Sequence, residues 1–260
     1  MTATERILLV GATGVLGAPA TRALVAAGHE VHGTSRRAER LSEVESSGAR
    51  GVVLDALDPA SIDAALAEVQ PTTVIFLATD LASFDYAANA RLREVGAPAL
   101  VEASHAAGVD RVIAESISWD PHSAPVAALE HAVMSHPGGM VLRFGLLYGP
   151  GTWYAADGAT TARAGVGVVD AIADTTNWLH VDDAVSAVMA ALTWPVSIFD
   201  IVDDEPAALE DWAAVLARRA GYAGVPRVTS RGPARVADGA AARSLGWRPA
   251  HPSWRDGLGL

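Results

Sequence analysis

The chain contains no cysteine and no lysine. Without cysteine there is no disulfide, no thiolate metal site and no cysteine nucleophile. Without lysine there is no Schiff-base chemistry and no Walker-type phosphate loop, since that loop needs an ammonium. All 19 basic residues are arginine, and aromatics make up only 6% of the chain. No apolar run is long enough to span a bilayer. The first residues lack the basic segment, apolar run and small-residue cleavage site of a secretory signal, so a soluble cytoplasmic protein is expected. Positive charge is in deficit: 19 arginines against 30 acids leave a net charge of −11. That argues against a protein that tracks nucleic-acid phosphates. What is present is a chain of 260 residues, half of them hydrophobic, enough for one domain with a smaller lobe.

Short apolar runs alternate with alanine-rich helical patterns. "RILLV", "EVHGTS", "GVVLD", "TTVIFLAT", "RVIAES" and "MVLRFGLLYG" read as strands. Between them, Gly14 to Ala27 reads as a helix closed by Gly28, Asp58-Pro59 as the cap and first position of a helix to Val69, and Ala87 to Ala107 as a long helix stopped by Gly108. Strand–helix alternation implies parallel strands joined by right-handed crossovers, hence a doubly wound α/β sheet. We expect a dinucleotide-binding Rossmann domain over 1–148 and a smaller substrate lobe over 149–260, interleaved with returning sheet elements. In the second part "WLHVDDAVSAVMAAL" reads as helix, "SIFDIVDD" as strand and Ala208 to Ala220 as helix.

The stretch "VGATGVLG" puts glycines at 11, 14 and 17 between the first strand and the first helix. In that context each glycine has a purpose. Gly11 allows a tight turn, Gly14 lets backbone approach a pyrophosphate, and Gly17 lets the helix pack closely. Gly11, Thr13, Gly14, Val15, Leu16 and Gly17 would form the phosphate turn, with helix amides facing the anion. At the end of the second strand an NAD site usually places an acid for the ribose hydroxyls. Here the residues are Ser35, Arg36 and Arg37, with no acid before Glu39. Guanidiniums and a hydroxyl suit a 2′-phosphate, so NADP(H) is favoured over NAD. A solvated helix start is the plainer use of the two arginines.

With this spacing the chain resembles the short-chain dehydrogenase/reductase superfamily, in its extended or atypical epimerase/dehydratase branch. The resemblance continues through "VVLDALD", "VIFLAT", "LVEASHAAGVDRVI", "VLRFGLLYGPG", "WLHVDDAVSAV", "FDIVDDEP" and "RSLGWRPAHPSWRDGL". It implies that Asp55 and Ala56 lie near the adenine, that Leu77, Ala78 and Thr79 line the cofactor cleft, and that the chain after Gly145 contributes the substrate lobe. It also implies a small-molecule substrate and a homodimer.

The resemblance fails at the catalytic dyad. Family members use a serine or threonine, a tyrosine, and a lysine four residues after it. The ammonium helps bring a tyrosine with an ordinary pKa near ~10 toward working pH. This chain has no lysine, and none of Tyr86, Tyr148, Tyr154 or Tyr222 has arginine four places on. Ser116 falls where the family's strand-end serine belongs, with Ser118 as a second candidate; either hydroxyl also suits a plain strand end. Aligning "LEHAV" with the helix after the usual lysine puts Val126 at the lysine position and His122 at the tyrosine position. Imidazole titrates near neutrality unaided, so His122 is a candidate proton donor, with His131 beside Glu130 as a lesser one. Between Pro121 and Pro125, the plainer reading of His122 is a surface-loop histidine.

His180, Asp182 and Asp183 in "HVDD" suit a helix start, and nothing else in the sequence completes a metal site around them, so none is expected. Trp153 and Tyr154 suit platforms for a flat substrate or ordinary packing. Three functions stay open: an NADP(H)-dependent oxidoreductase on a small carbonyl or alcohol, a redox-neutral dehydratase, epimerase or cyclase, and a non-enzymatic NADP(H)-sensing module. The unusual site in an alanine- and arginine-rich chain points toward specialised secondary metabolism.

Overall fold

The computed structural model describes residues 4–81, 85–230, 232 and 235–258. The chain divides into two compact units, one of residues 1–116, 121–142 and 188–198, the other of 117–120, 143–187 and 199–260.

The first unit is built on parallel strands. They are β1 (Arg6–Val10), β2 (Glu30–Ser35), β3 (Arg50–Val53), β4 (Thr73–Phe76), β5 (Arg111–Ile117) and β6 (Gly139–Phe144), and the sheet is completed by β11 (Ile198–Ile201). The seven strands run in the order β11-β6-β5-β4-β1-β2-β3. Ile7, Leu8 and Leu9 of β1 and Val74 and Ile75 of β4 are fully covered, as expected of strands enclosed on both faces. β1 pairs in parallel with β2 on one side and with β4 on the other. Strand order therefore reverses beside β1, and in sheets of this kind ligands bind outside the carboxyl ends of the strands at that reversal.

The helices of this unit are α1 (Gly17–Ala26), α2 (Leu41–Glu45), α3 (Pro59–Val69), α4 (Tyr86–Arg91), α5 (Ala97–Ala106) and α6 (Ala124–Ser135). Asp58 caps α3 by accepting from the Ala60 amide, and Pro59 opens it. α1 begins at Gly17 rather than Gly14, because the residues between are used in the turn. The long helix expected over 87–107 is interrupted by a π turn at Leu92–Gly96 that joins α4 to α5. One turn of that kind rotates the side chains that follow, and it frequently marks a functional site.

The second unit holds β7 (Leu146–Tyr148), α7 (Ala159–Ala164), β8 (Val168–Asp170), β9 (Thr175–Thr176), β10 (Trp178–His180), α9 (Leu209–Arg219), β12 (Ala207–Ala208), β13 (Arg227–Thr229), α10 (Ala240–Ser244), α11 (Trp254–Gly257) and the start of α8 (Val181–Ala191). β7 pairs with β10 and β8 with β13, both in parallel. "WLH", read from sequence as helix, is strand β10, because its partner β7 lies far off in the chain. The scarce aromatics gather here: Trp178, Trp212 and Trp254 are fully covered, and Tyr154 meets Trp178 edge-to-face at 4.8 Å. Among the described residues no helix is long and apolar enough to cross a membrane.

Candidate dinucleotide-binding and catalytic site

The glycine turn is shaped by contact. Gly11 has φ +95°, and a Cβ there would lie 2.8 Å from the backbone of Leu77 and Ala78 just beyond β4. At Gly17 a Cβ would lie 1.9 Å from the carbonyl oxygen of Gly11, so the start of α1 rests directly on the turn. The Gly14 amide closes the turn onto the Gly11 carbonyl at 2.9 Å. Gly14 and Val15 are exposed while Leu16 is buried, and no side chain caps α1. The result is a bare helix start behind a glycine-rich bend at the strand-order reversal, and a diphosphate fits it. Thr13 is half-buried in the same bend, and Thr79 is exposed beyond β4. The Leu77 side chain is buried and its amide is bonded to Val10, so only backbone there can face a ligand.

At the end of β2, the Ser35 hydroxyl accepts from the Arg37 amide at 3.2 Å. Arg36 extends to Asp80, with 3.1 Å between Nη1 and Oδ2. Arg37 is exposed. Asp55 is bound locally, its carboxylate accepting from the Leu57 amide at 3.0 Å and its own amide donating to Ser61. Ala56 is buried.

Ser116 lies at the end of β5, 3% exposed, and its hydroxyl donates to Glu130 Oε1 at 2.6 Å. Glu130 stands on α6 and is itself buried. Arg93, turned inward on the π segment, is 7% exposed and faces both Glu115 and Glu130. Burial of its carboxyl pushes Glu115 up to about 7, against the opposing pull of Arg93. Sequence reading placed Glu130 on a helix but missed this cluster. The available signal was a glutamate inside the apolar run "VIAES", which has no reason to be there without a partner.

His122 is exposed in the turn before α6, and Val126 is buried inside that helix. The two do not share a helical face as a tyrosine and lysine four apart would. His131 is exposed on α6. Among the described residues no hydrogen bond joins Ser116 to either histidine.

In the second unit, Ser118 is completely covered, its hydroxyl unpartnered and its carbonyl accepting from Arg235 at 3.2 Å. Tyr154 is 4% exposed within the tryptophan cluster and Trp153 is half-buried against it, so packing occupies Tyr154. The fully covered Tyr148 hydroxyl is pushed well above its ordinary pKa by burial and then by neighbouring acids, chiefly Asp203. Asp183 does more than start α8. Its carboxylate accepts from the Ala250 amide at 2.6 Å, the His251 amide at 3.0 Å and the His251 ring at 3.0 Å. His251 stacks on His180 with ring centroids 3.9 Å apart. The ligand atoms of His180, Asp183 and His251 all lie within 4.8 Å of one another, a third member that sequence could not supply. With Asp183 fully bonded, the trio clasps the segment at 250–251 onto α8.

A parallel sheet reversing beside a glycine turn defines a dinucleotide-binding α/β protein. Comparison with known proteins carries this further. Residues 11–134 match a family model described as NAD(P)H-binding. A 3-diazoavenalumate denitrifying reductase from a Streptomyces species is 37% identical, covering 98% of this chain and 99% of its own. Among solved structures, UDP-glucose 4-epimerase from Thermotoga maritima, with UDP-glucose, superposes with a TM-score of 0.77 at 20% identity over 97% of this chain and 96% of its own. The dTDP-glucose 4,6-dehydratase of Bacillus anthracis, with NAD, gives 0.76 at 15% identity over 97% and 93%; at such identities the likeness is one of fold. The chain belongs to the family of that reductase and, with its NAD(P)H-binding region, is an NAD(P)-dependent enzyme whose fold is that of the epimerase and dehydratase structures.

Proposed function

We propose that this enzyme is an NADP(H)-dependent reductase that replaces the diazo group of a small aryl carboxylate with hydrogen, releasing dinitrogen. The observation that carries the reading is that the chain keeps the dinucleotide turn yet holds no lysine. Reducing a carbonyl creates an alkoxide, which must be protonated, and the tyrosine–lysine dyad serves that need. Reducing a diazonium cation creates a neutral arene and a neutral gas, and no proton is consumed. The relative at 37% identity is named for a diazo compound and for denitrifying reduction, which supports the same chemistry here.

When bound, a reduced nicotinamide would supply the hydride that replaces the diazo group on its carbon, the C–N electron pair departing with dinitrogen. The glycine turn and the start of α1 hold the diphosphate, while Arg36 and Arg37 hold the 2′-phosphate. Ser116, whose proton is committed to Glu130, offers only lone pairs to a ligand. An acceptor oxygen suits an electron-poor diazonium, whereas a carbonyl would need a donor. His122 has no proton to deliver in this reaction.

The test is to supply NADPH carrying deuterium at the transferable position together with diazotised aminobenzoates and aminocinnamates. Expected are loss of reduced-nicotinamide absorbance, one dinitrogen per NADPH and deuterium on the carbon that bore nitrogen. If no diazo compound of that set is consumed, or the product carries solvent hydrogen at that carbon, the reading fails. His122→Ala should leave turnover unchanged; a large loss would restore its proton role.

A further inference from the structure

Beside the end of β2 the first unit contains a cavity of about 430 Å³, lined by Arg36, Asp80, Asp85 and Arg91 together with the apolar Leu57 and Leu92. Resting on the NADP(H) reading above, the cavity adds to Arg36 two residues outside that reading, Asp80 and Arg91. Arg36, the cation assigned to the 2′-phosphate, already has an anion. Its guanidinium is 3.1 Å from the Asp80 carboxylate, and the two side chains are 57% and 27% exposed. The position of Asp80 is fixed, because its amide donates to Asn89 Oδ1 at 3.1 Å and Asn89 is buried on α4. Asp85 is occupied as the cap of α4, accepting from the Ala88 amide at 2.9 Å. Arg91 stands exposed in the last turn of α4, on the same cavity.

We infer that the Arg36–Asp80 pair and Arg91 together determine the choice between NADPH and NADH, Asp80 acting against the 2′-phosphate and Arg91 for it. A solvent-exposed ion pair is weak and readily exchanged. A phosphate dianion entering the cavity displaces the carboxylate from Arg36, because it brings more charge and more acceptor oxygens. The displaced carboxylate stays close by, since Asn89 holds its backbone, and its charge opposes the phosphate. A cofactor with a free 2′-hydroxyl meets the reverse situation, in which Asp80 can accept from the hydroxyl as an acid at this place does in NAD sites. Arg91 brings a second positive charge to the same cavity, which only the phosphorylated cofactor can use.

The experiment is calorimetric titration of the whole protein with NADPH, NADH, 2′-phospho-AMP and AMP, for the wild type, Asp80→Asn and Arg91→Ala. Asparagine keeps the side-chain shape and removes the charge. Expected for Asp80→Asn is NADPH and 2′-phospho-AMP binding tightened by roughly threefold, with NADH binding unchanged or weaker. Expected for Arg91→Ala is NADPH binding weakened by about fivefold with NADH unmoved. A wild type that prefers NADH would overturn the NADP(H) reading and this inference with it. A wild type that prefers NADPH, with the NADPH-to-NADH ratio unaltered in both variants, would leave that reading standing and overturn the roles of Asp80 and Arg91. Melting curves of the free proteins separate these outcomes from misfolding. If a variant melts early, Asp80→Ser and Arg91→Gln make the same charge changes, and the ratio is read on them.

Discussion

Gly17→Ala tests the phosphate turn most directly. Alanine at the first position of α1 should favour the helix by about 1 kcal/mol through propensity alone. The structure opposes this gain, since the new Cβ would stand 1.9 Å from the Gly11 carbonyl oxygen, while carbon and oxygen in contact normally keep about 3.3–3.6 Å. The helix start and the turn must therefore separate by about 1.4 Å. Forced overpacking of this size typically costs about 1–3 kcal/mol, so net destabilisation should stay within about 2 kcal/mol and the protein should still fold. Binding suffers far more. A shift of that size breaks amide–phosphate bonds, each worth about 1.5–3 kcal/mol, so losing one or two weakens NADPH by roughly tenfold to ten-thousandfold. NADPH fluorescence titration measures the affinity and thermal melting the stability. The control is Gly28→Ala at the far end of α1, where φ is +88° but no atom lies within 4 Å of the added carbon. It should cost about 1 kcal/mol of stability and leave NADPH affinity intact. Gly17→Ala protein binding NADPH within about threefold of the wild type would refute the reasoning.

The remaining predictions concern stability. Asp183→Ala removes the acceptor for three bonds from residues 250 and 251; it should cost about 3 kcal/mol and expose that segment to limited proteolysis. Asp183→Asn, which keeps one acceptor oxygen, should lose less, and equal melting of all three proteins would refute the clasp. Tyr154→Ala should destabilise by about 3–5 kcal/mol as a core truncation, read by denaturant unfolding; a change under about 1 kcal/mol would return Tyr154 to the role of a substrate platform. Glu115 keeps its proton in the folded protein up to about 7, above its ordinary 4.5, because of burial. The folded state then binds more protons than the unfolded one between those values, so this group's contribution to stability falls as pH rises through that window. Glu115→Gln should remove that part of the fall, and identical melting-temperature profiles from pH 4 to pH 8 for wild type and variant would contradict it.

The parallel α/β arrangement was legible because each strand is a short apolar run and each helix carries its own stop. Gly28 and Asp58-Pro59 act within a few residues of where they stand. The glycine turn was legible for the same reason, as Gly11, Gly14 and Gly17 are neighbours in the chain. Charge patterns were legible in kind but not in pairing. Arg36 and Arg37 marked a cation site, yet nothing local revealed that Asp80 faces Arg36.

What the sequence determined by itself was an exclusion: a chain without lysine cannot hold the usual tyrosine–lysine proton-transfer dyad. What only the tertiary structure decided was where the side chains of the site point and what they hold. Ser116 donates its hydroxyl hydrogen bond to Glu130, fourteen residues on. Asp183 fastens a segment sixty-seven and sixty-eight residues away, and Tyr154 is taken into a tryptophan core. The physical reason is range. Propensity, capping and turn geometry act over a few residues and are written locally, whereas a buried hydroxyl or carboxyl takes its role from whichever partner the folded chain brings within about 3 Å.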